Sequence, residues 1–220
     1  MLAKSILSTE IQTLSPDDTG LTALSLMDDY KLSHLPLVCN NEFLGLISEG
    51  DVMQFADIDD TINNQHVVAN RIFINESQHI LDVFRLIAAN KLSLIAVIND
   101  KNQYIGSITL QQLMLSFSAI DPIKDSGGII VLQINLRDYN LVEIAGIVES
   151  NDTKIMGLYT HSEEDSMKLE VTVKMNSLDI SAVINTFNRY NYTIKASFGQ
   201  NDLDDLLRDR YEALMTYLSV

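Results

Sequence analysis

The stretch Leu44-Gly-Leu-Ile-Ser-Glu-Gly-Asp-Val-Met-Gln-Phe55 decides the fold of this 220-residue chain, because a second version of it follows sixty-one residues later. Ile105-Gly-Ser-Ile-Thr-Leu-Gln-Gln-Leu-Met114 repeats its order of apolar strand, short polar turn and helix. Two pairs of residues fall in register, Gly45 with Gly106 and Ser48 with Thr109. The two stretches therefore predict an internal repeat.

Two further blocks match in the same order. Ser15–Met27 matches Asn75–Ile87, and Lys31–Val38 matches Lys91–Ile98 with Lys-Leu-Ser identical. Each copy is expected to contain a strand, a helix, a strand, a hairpin turn, a strand and a helix. One such unit is too small to cover its own sheet, so the two copies are expected to pack as one module.

At Ser33-His-Leu-Pro-Leu-Val38 and Leu44–Val52 the sequence resembles tandem cystathionine-β-synthase (CBS) domains, a pair also called a Bateman module. The resemblance implies CBS repeats at residues 1–60 and 61–119. It also implies clefts that bind an adenine nucleotide or a related adenosyl ligand, such as AMP, ADP, ATP or S-adenosylmethionine. Such a molecule would be a regulatory ligand, and no cofactor is required.

The resemblance also assigns roles to the residues of the first copy. The Ser48 hydroxyl would face phosphate, and the Asp51 carboxylate would accept hydrogen bonds from the ribose hydroxyls. The rest of the site comprises the backbone around His34, Leu35 and Pro36, with Thr13 and Ile11 closing the wall. The alternative for Ser48 and Asp51 is a plain N-cap followed by a favourable first-turn acid.

The second copy departs from this pattern and predicts a weaker second cleft. Thr109 retains the hydroxyl, but Gln112 stands where the carboxylate is expected and Ala96 replaces Pro36. A neutral amide loses the charge assistance of a carboxylate. Arg71, on the strand that enters the second copy, offers a cation for phosphate or for a surface ion pair.

A boundary follows at residues 120–128, where a proline and two glycines separate apolar segments. Beyond it, the apolar patterns predict strands at 129–135, 154–161, 167–174 and 192–198 and helices at 141–148 and 179–190. This βαββαβ order is ferredoxin-like. The whole chain is therefore predicted to be an α/β (α+β) protein.

The region at 129–200 is similar to the ACT domain that follows a CBS pair in acetoin-utilisation-type regulatory proteins. Its loop at 136–141 has no glycine, which favours a dimerising role over amino-acid binding. Residues 201–220 are predicted to form a C-terminal amphipathic helix that packs on its own domain or on a partner subunit.

The composition of the chain argues against several classes of function. Thirty acidic residues against fifteen Lys and Arg give a formal charge of −15, which works against nucleic-acid and acidic-membrane binding. A single Cys39 and the lack of a long apolar run suggest a cytoplasmic protein. Neither the four histidines nor the carboxylates form a metal-ligand or catalytic pattern.

The sequence thus predicts a non-enzymatic regulatory module that binds an adenosyl ligand and forms a homodimer. The alternative is a ligand-free structural protein that mediates dimerisation or assembly with a partner.

Overall fold

The structure is a computed structural model that describes residues 1–65, 69–162, 167–200 and Met215. Its contacts divide the chain into two compact units, Met1–Ser118 and Ala119–Val220. The helix predicted over residues 201–220 lies outside the described residues, apart from Met215. Within the described ranges, no helix combines the length and apolar character that crossing a bilayer demands.

The first unit repeats one pattern, in which a helix is followed by a β-hairpin and a second helix. Copy one contains α1 (Gly20–Tyr30), β1 (His34–Cys39), β2 (Glu42–Ser48) and α2 (Glu49–Val52). Copy two contains β3 (Phe73–Asn75), α3 (Ile80–Asn90), β4 (Leu94–Ile98), β5 (Tyr104–Thr109) and α4 (Leu110–Ser118). Each hairpin is antiparallel, and β3 runs parallel to β4.

The strand predicted to enter copy one is reduced to a single bridge between Leu14 and Leu37. The first helices of the two copies end alike, at Lys31 and Lys91, which take left-handed conformations with φ of 54° and 53°. Both helices also begin with a side-chain cap. Thr19 Oγ1 accepts from Thr22 N at 3.2 Å in α1, and His79 Nδ1 accepts from Leu81 N at 3.3 Å in α3. The repeat read from the sequence is therefore present in the backbone geometry.

The apolar positions of these helices only partly face the core. Met27 and Ile87 are buried, but Leu21 and Leu81 are 57% and 58% exposed. The buried positions nearer the start of each helix are Ala23 in α1 and Ile80 and Val83 in α3. Helical spacing alone does not distinguish the core-facing row from the row beside it, because both rows are apolar here.

Each entering segment makes backbone contacts with both copies. Before it reaches Leu14, the N-terminal segment pairs with copy two, where Ser8 N donates to Ser107 O at 2.8 Å and Ser8 O accepts from Ser107 N at 2.9 Å. The segment before copy two does the converse, since Leu46 and Asn70 exchange bonds of 2.9 and 3.1 Å. The copies therefore exchange their entering segments.

The hydrophobic core of copy two includes residues from outside that copy. Ala3, Phe43 and Leu46 are buried with the apolar side chains of copy two, although none of them belongs to copy two in sequence. Copy one keeps a second cluster around Leu14, Met27, Leu35, Ile47 and Val52. Removal of either copy would expose part of the core of the other.

Glycine permits the close approach that the exchanged pairing requires. A Cβ placed on Gly45 would lie 2.6 Å from Ala69 Cβ and 2.8 Å from Ala69 C. A Cβ on Gly106 would lie 2.7 Å from Ser8 O. All three distances are far below van der Waals contact, so the two aligned glycines serve one steric purpose.

We expect Gly45→Ala to lower the free energy of unfolding of the first unit by about 1–3 kcal/mol, because the new methyl group must displace backbone. Gly50→Ala is the matched control, since its Cβ would meet only Ser48 Oγ at 3.6 Å. Urea denaturation of both variants measures the difference. Equal midpoints for the two variants would contradict the steric role of Gly45.

The second unit is built on a four-stranded antiparallel sheet. Its elements are α5 (Asp121–Lys124), β6 (Ile129–Asn135), α6 (Leu141–Glu149), β7 (Ile155–Ser162), β8 (Lys168–Met175), α7 (Ser181–Arg189) and β9 (Thr193–Phe198). The strand order is β7-β8-β6-β9. Helices α6 and α7 contribute Ile144, Ile147, Val183 and Phe187 to the core shared with the sheet. The predicted βαββαβ order is therefore observed.

The predicted linker at 120–128 is partly structured. It contains α5, and Lys174 Nζ donates to Gly127 O at 2.7 Å. Gly128 N donates to Ser177 O at 2.7 Å, and Met175 N donates to Gly128 O at 2.9 Å. These bonds attach the end of the segment to the second unit.

Candidate functional site

The β1–β2 hairpin and the turn into α2 bring together three of the residues predicted to bind ligand. The strand register sets His34 directly opposite Ser48. Ser48 is the N-cap of α2, and its Oγ accepts from Asp51 N at 3.1 Å. Asp51 Oδ2 in return accepts from Ser48 N at 2.8 Å and from Ser48 Oγ at 2.6 Å. We call His34, Ser48 and Asp51 site one.

This arrangement is a capping box. It agrees with the alternative in which Ser48 is the N-cap and Asp51 an acid in the first turn, and it adds the bond from Ser48 N to the Asp51 carboxylate. The box uses only one carboxylate oxygen, because all of its bonds to Asp51 side-chain atoms go to Oδ2. Within the described residues, Oδ1 has no hydrogen-bond partner, and it is not buried. Asp51 thus caps the helix and still presents an anionic acceptor outward.

His34 connects site one to copy two. Ser93 N donates to His34 Nδ1 at 3.3 Å, and Ser93 Oγ lies 3.2 Å from the same nitrogen. Ser33 Oγ lies 3.1 Å away from it on the other side. Because the backbone N–H of Ser93 must donate, Nδ1 carries no proton and the neutral ring holds its proton on Nε2.

Two opposing effects set the protonation of His34. Burial lowers the pKa of the imidazole below its ordinary value of 6.5, while the negative charge of Asp51 opposes this shift. A lowered pKa favours the neutral ring in the folded protein. The neutral His34 ring therefore contributes to the stability of the folded protein above pH 6.5. This contribution is lost as the pH falls through the pKa that His34 has in the folded protein.

Copy two builds the same box from neutral groups. Thr109 N and Oγ1 lie 3.0 and 3.2 Å from Gln112 Oε1, to which both donate, and Gln112 N donates to Thr109 Oγ1 at 3.1 Å. Opposite Thr109 stands the fully buried Leu94, where copy one has His34. Capping therefore does not require a carboxylate at this position. We call the cleft around Thr109 and Gln112 site two.

Site two is a cleft of about 490 Å³. Its walls include Ser8, Glu10, Ile11, Tyr30, Lys31 and Ser93 beside Thr109 and Gln112. Ile11 was predicted to close the wall of site one; it packs against the apolar cluster of copy one and also lines site two. The reason is the exchange of entering segments, which leads residues 8–11 past copy two before Leu14 reaches copy one.

Arg71 precedes copy two in sequence but contacts copy one. It was predicted to serve the second cleft, but its neighbour Asn70 pairs with Leu46 of copy one. Its guanidinium Nη2 donates to Phe43 O, also in copy one, at 3.4 Å. The structure thus associates Arg71 with copy one.

The remaining predicted site residues contribute mainly backbone. Leu35 and Ala96 are fully buried, so their side chains belong to the core. Pro36 is also buried, and its carbonyl accepts from Leu14 N at 2.8 Å. Thr13 is half-buried on the segment that precedes Leu14.

Ser93 is a residue of the candidate sites that the sequence did not predict. It contacts His34 of site one and also lines site two. Ser33 N donates to Ser93 Oγ at 3.1 Å, so the two equivalent serines meet between the copies. The identical Lys-Leu-Ser in both repeats was the signal that marked them.

No group of three or more His, Cys, Asp or Glu side chains in the described ranges is arranged to hold a metal ion. Site one offers two groups for hydrogen bonding to a ligand, the Asp51 Oδ1 acceptor and the His34 Nε2–H donor.

The paired repeats, with their matching capping boxes, define a tandem CBS module. The CBS-domain family model matches residues 3–57 and 65–119, and the chain belongs to the CBS-domain family.

Similar proteins share this module over only part of their length. The inosine-5′-monophosphate dehydrogenase of Methanocaldococcus jannaschii is 25% identical over 153 residues, which are 67% of this chain and 30% of that enzyme. An uncharacterised protein of the same organism is 24% identical over 113 residues, which are 51% of this chain and 38% of that protein. The chain thus spans about a third of the length of these relatives.

Two solved structures resemble about half of this chain. A CBS domain pair/ACT domain protein of Thermotoga maritima has a TM-score of 0.48 and 17% identity, covering 53% of this chain and 96% of its own. CBSX2, solved in complex with AMP, has a TM-score of 0.46 and 15% identity, covering 53% of this chain and 95% of its own.

We expect the pKa of His34, followed by NMR of its ring nitrogens, to lie below 6.5 with the proton on Nε2. Asp51→Asn should lower that pKa further, because it removes the charge that stabilises the imidazolium. Asp17→Asn, which removes an equal charge from an exposed turn, is the control and should leave His34 unchanged. A rise in the pKa on Asp51→Asn would contradict the geometry of site one.

Proposed function

We propose that this protein is a regulatory module that binds an adenine nucleotide or a related adenosyl ligand at site one and has no enzymatic activity of its own. Membership of the CBS-domain family supports the proposal. The observation that carries it is the outward Oδ1 of Asp51, which remains available while Oδ2 caps the helix. The acidic charge and the single Cys39 support a cytoplasmic location.

The groups of site one suit an adenosyl ligand. A carboxylate oxygen accepts charge-assisted hydrogen bonds from a vicinal diol, and such bonds contribute about 1.5–3 kcal/mol each. The Nε2–H of a neutral His34 can donate to a base nitrogen or a phosphate oxygen. Arg71 is not one of these groups, because its guanidinium bonds to Phe43 O near the start of β2, whereas Ser48 ends that strand.

We propose that the second unit is an ACT-like domain that transmits ligand binding or holds a homodimer. Its four-stranded antiparallel sheet and βαββαβ order support this assignment. In the loop before α6, Asn140 Oδ1 accepts from Val142 N and Glu143 N at 3.1 and 3.3 Å. These amides are thus already occupied, which favours a dimerising role over amino-acid binding.

Calorimetric titration with AMP, ADP, ATP and S-adenosylmethionine tests the ligand. We expect at least one to bind with a Kd below about 1 mM, and Asp51→Asn to weaken it roughly tenfold because it removes the charged acceptor. The variant should fold, since Gln112 shows that an amide can complete the same box.

Asp17→Asn is the matched control for lost charge and should bind as the wild type does. Failure of the wild-type protein to bind any of the four compounds would reject the sensor. Equal binding by Asp51→Asn and the wild type would reject Asp51 as the ribose-binding residue.

The second candidate is a structural protein that acts through assembly. The observation that favours it is a group of exposed apolar residues where β6 leads into α6. Leu136 is 53% exposed, Leu141 49% and Val142 81%. A contact with a partner subunit would remove these apolar side chains from water.

We expect the full chain to sediment as a dimer and Val142→Asp to shift it towards the monomer, because the substitution places a charge within that apolar group. Leu81→Asp makes the same change at the exposed Leu81 of the first unit and should leave the dimer intact. A dimer that survives Val142→Asp would reject this dimerising role for the second unit.

A further inference from the structure

The two sites turn opposite hydrogen-bonding groups towards a ligand. In copy one, Asp51 Oδ2 takes both bonds from Ser48, which leaves the acceptor Oδ1 outward. In copy two, Gln112 Oε1 takes both bonds from Thr109, which leaves the donor Nε2. Among the described residues, neither outward atom has a hydrogen-bond partner, and neither is buried.

The orientation of the Gln112 amide follows from its partners. Thr109 N is a backbone donor that lies 3.0 Å from the inner side-chain atom of Gln112. Only an oxygen can accept there, so the NH₂ group must be the outward one. Asp51 has no such asymmetry, because both of its oxygens accept.

The charged residues around the two sites also differ, and site one is the more acidic at its helix start. The first turn of α2 carries Glu49 and Asp51, whereas the first turn of α4 carries no acid. Lys31 lines site two but does not distinguish the two copies, because it also lines a cleft beside Ser33 and Glu49 of copy one and its ammonium pairs with Asp28 at 2.8 Å. Glu10 also lines site two, and its negative charge works against the binding of an anionic ligand there.

We propose that Asp51 and Gln112 are specificity-determining residues that give the two sites different ligand preferences. Site one selects a ribose with free hydroxyls, and site two selects a ribose that presents an anionic or ester oxygen at the same position. This inference rests on the proposed function, because it assumes that adenosyl ligands are recognised through this capping-box position. An amide donor gains charge assistance from a phosphate oxygen but not from a hydroxyl.

Two nucleotides that differ only at the ribose test the proposal. AMP has a free 2′,3′-diol, and adenosine 3′,5′-bisphosphate replaces one hydroxyl with a phosphate. In NMR titrations of the full chain, we expect the bisphosphate to shift the side-chain NH₂ signals of Gln112. AMP should instead shift the backbone signals of Ser48 and Asp51.

The Gln112→Asp substitution should give site two the ligand preference of site one. We expect its affinity for the bisphosphate to fall roughly tenfold or more and its calorimetric stoichiometry for AMP to rise from one to two. Gln111→Asp is the matched control, because it places the same charge on the adjacent residue of the same cleft. The control should keep the AMP stoichiometry at one.

Two results would overturn the inference: a Gln112→Asp variant that keeps one AMP site, or a bisphosphate that leaves the Gln112 NH₂ signals unchanged. Failure of the proposed function has a separate signature, which is a wild-type protein whose Ser48 and Asp51 signals respond to no adenosyl compound.

Discussion

Backbone pairing between each repeat and the segment that enters the other is the constraint on which the first unit depends. The bonds between Leu46 and Asn70 and between Ser107 and Ser8 hold the exchange in place. They form only where the hairpin backbone has no Cβ in the way, at Gly45 and Gly106. Because Ala3 and Phe43 then complete the core of copy two, the repeats are expected to fold as one cooperative body.

A direct contact between the two copies also connects the two sites. Ser93 bonds to His34 in site one and lines site two, so one residue takes part in both. A ligand that moves the His34 ring would alter the contact between the repeats, which is the kind of differential contact that coupling requires. The capping boxes supply fixed geometry at both sites. One difference between them is the atom that capping leaves over, an acceptor oxygen of Asp51 in copy one and a donor amide of Gln112 in copy two.

Much of this organisation could be predicted from the sequence. The matched blocks predicted both hairpins and the helices around them, and the apolar patterns predicted the four strands of the second unit. The pairing of Ser48 with Asp51 follows from a spacing of three residues at a helix start. Local sequence carries this information because it sets propensity, capping and turn geometry.

The rest depends on contacts between residues distant in sequence. The placement of Ile11 at site two and of Arg71 beside Phe43 follows from segment exchange, which no local pattern encodes. The contact between His34 and Ser93 spans fifty-nine residues. Exposure of Leu21 and Leu81 likewise could not be read from helical spacing, because neighbouring helix rows are equally apolar.

A crystal structure of the protein grown with AMP provides the most direct test. The proposed mode of recognition predicts a ribose hydroxyl within hydrogen-bond distance of Asp51 Oδ1, with the capping bonds to Oδ2 retained. AMP bound only against Thr109 and Gln112, or bound with its ribose away from Asp51, would contradict it.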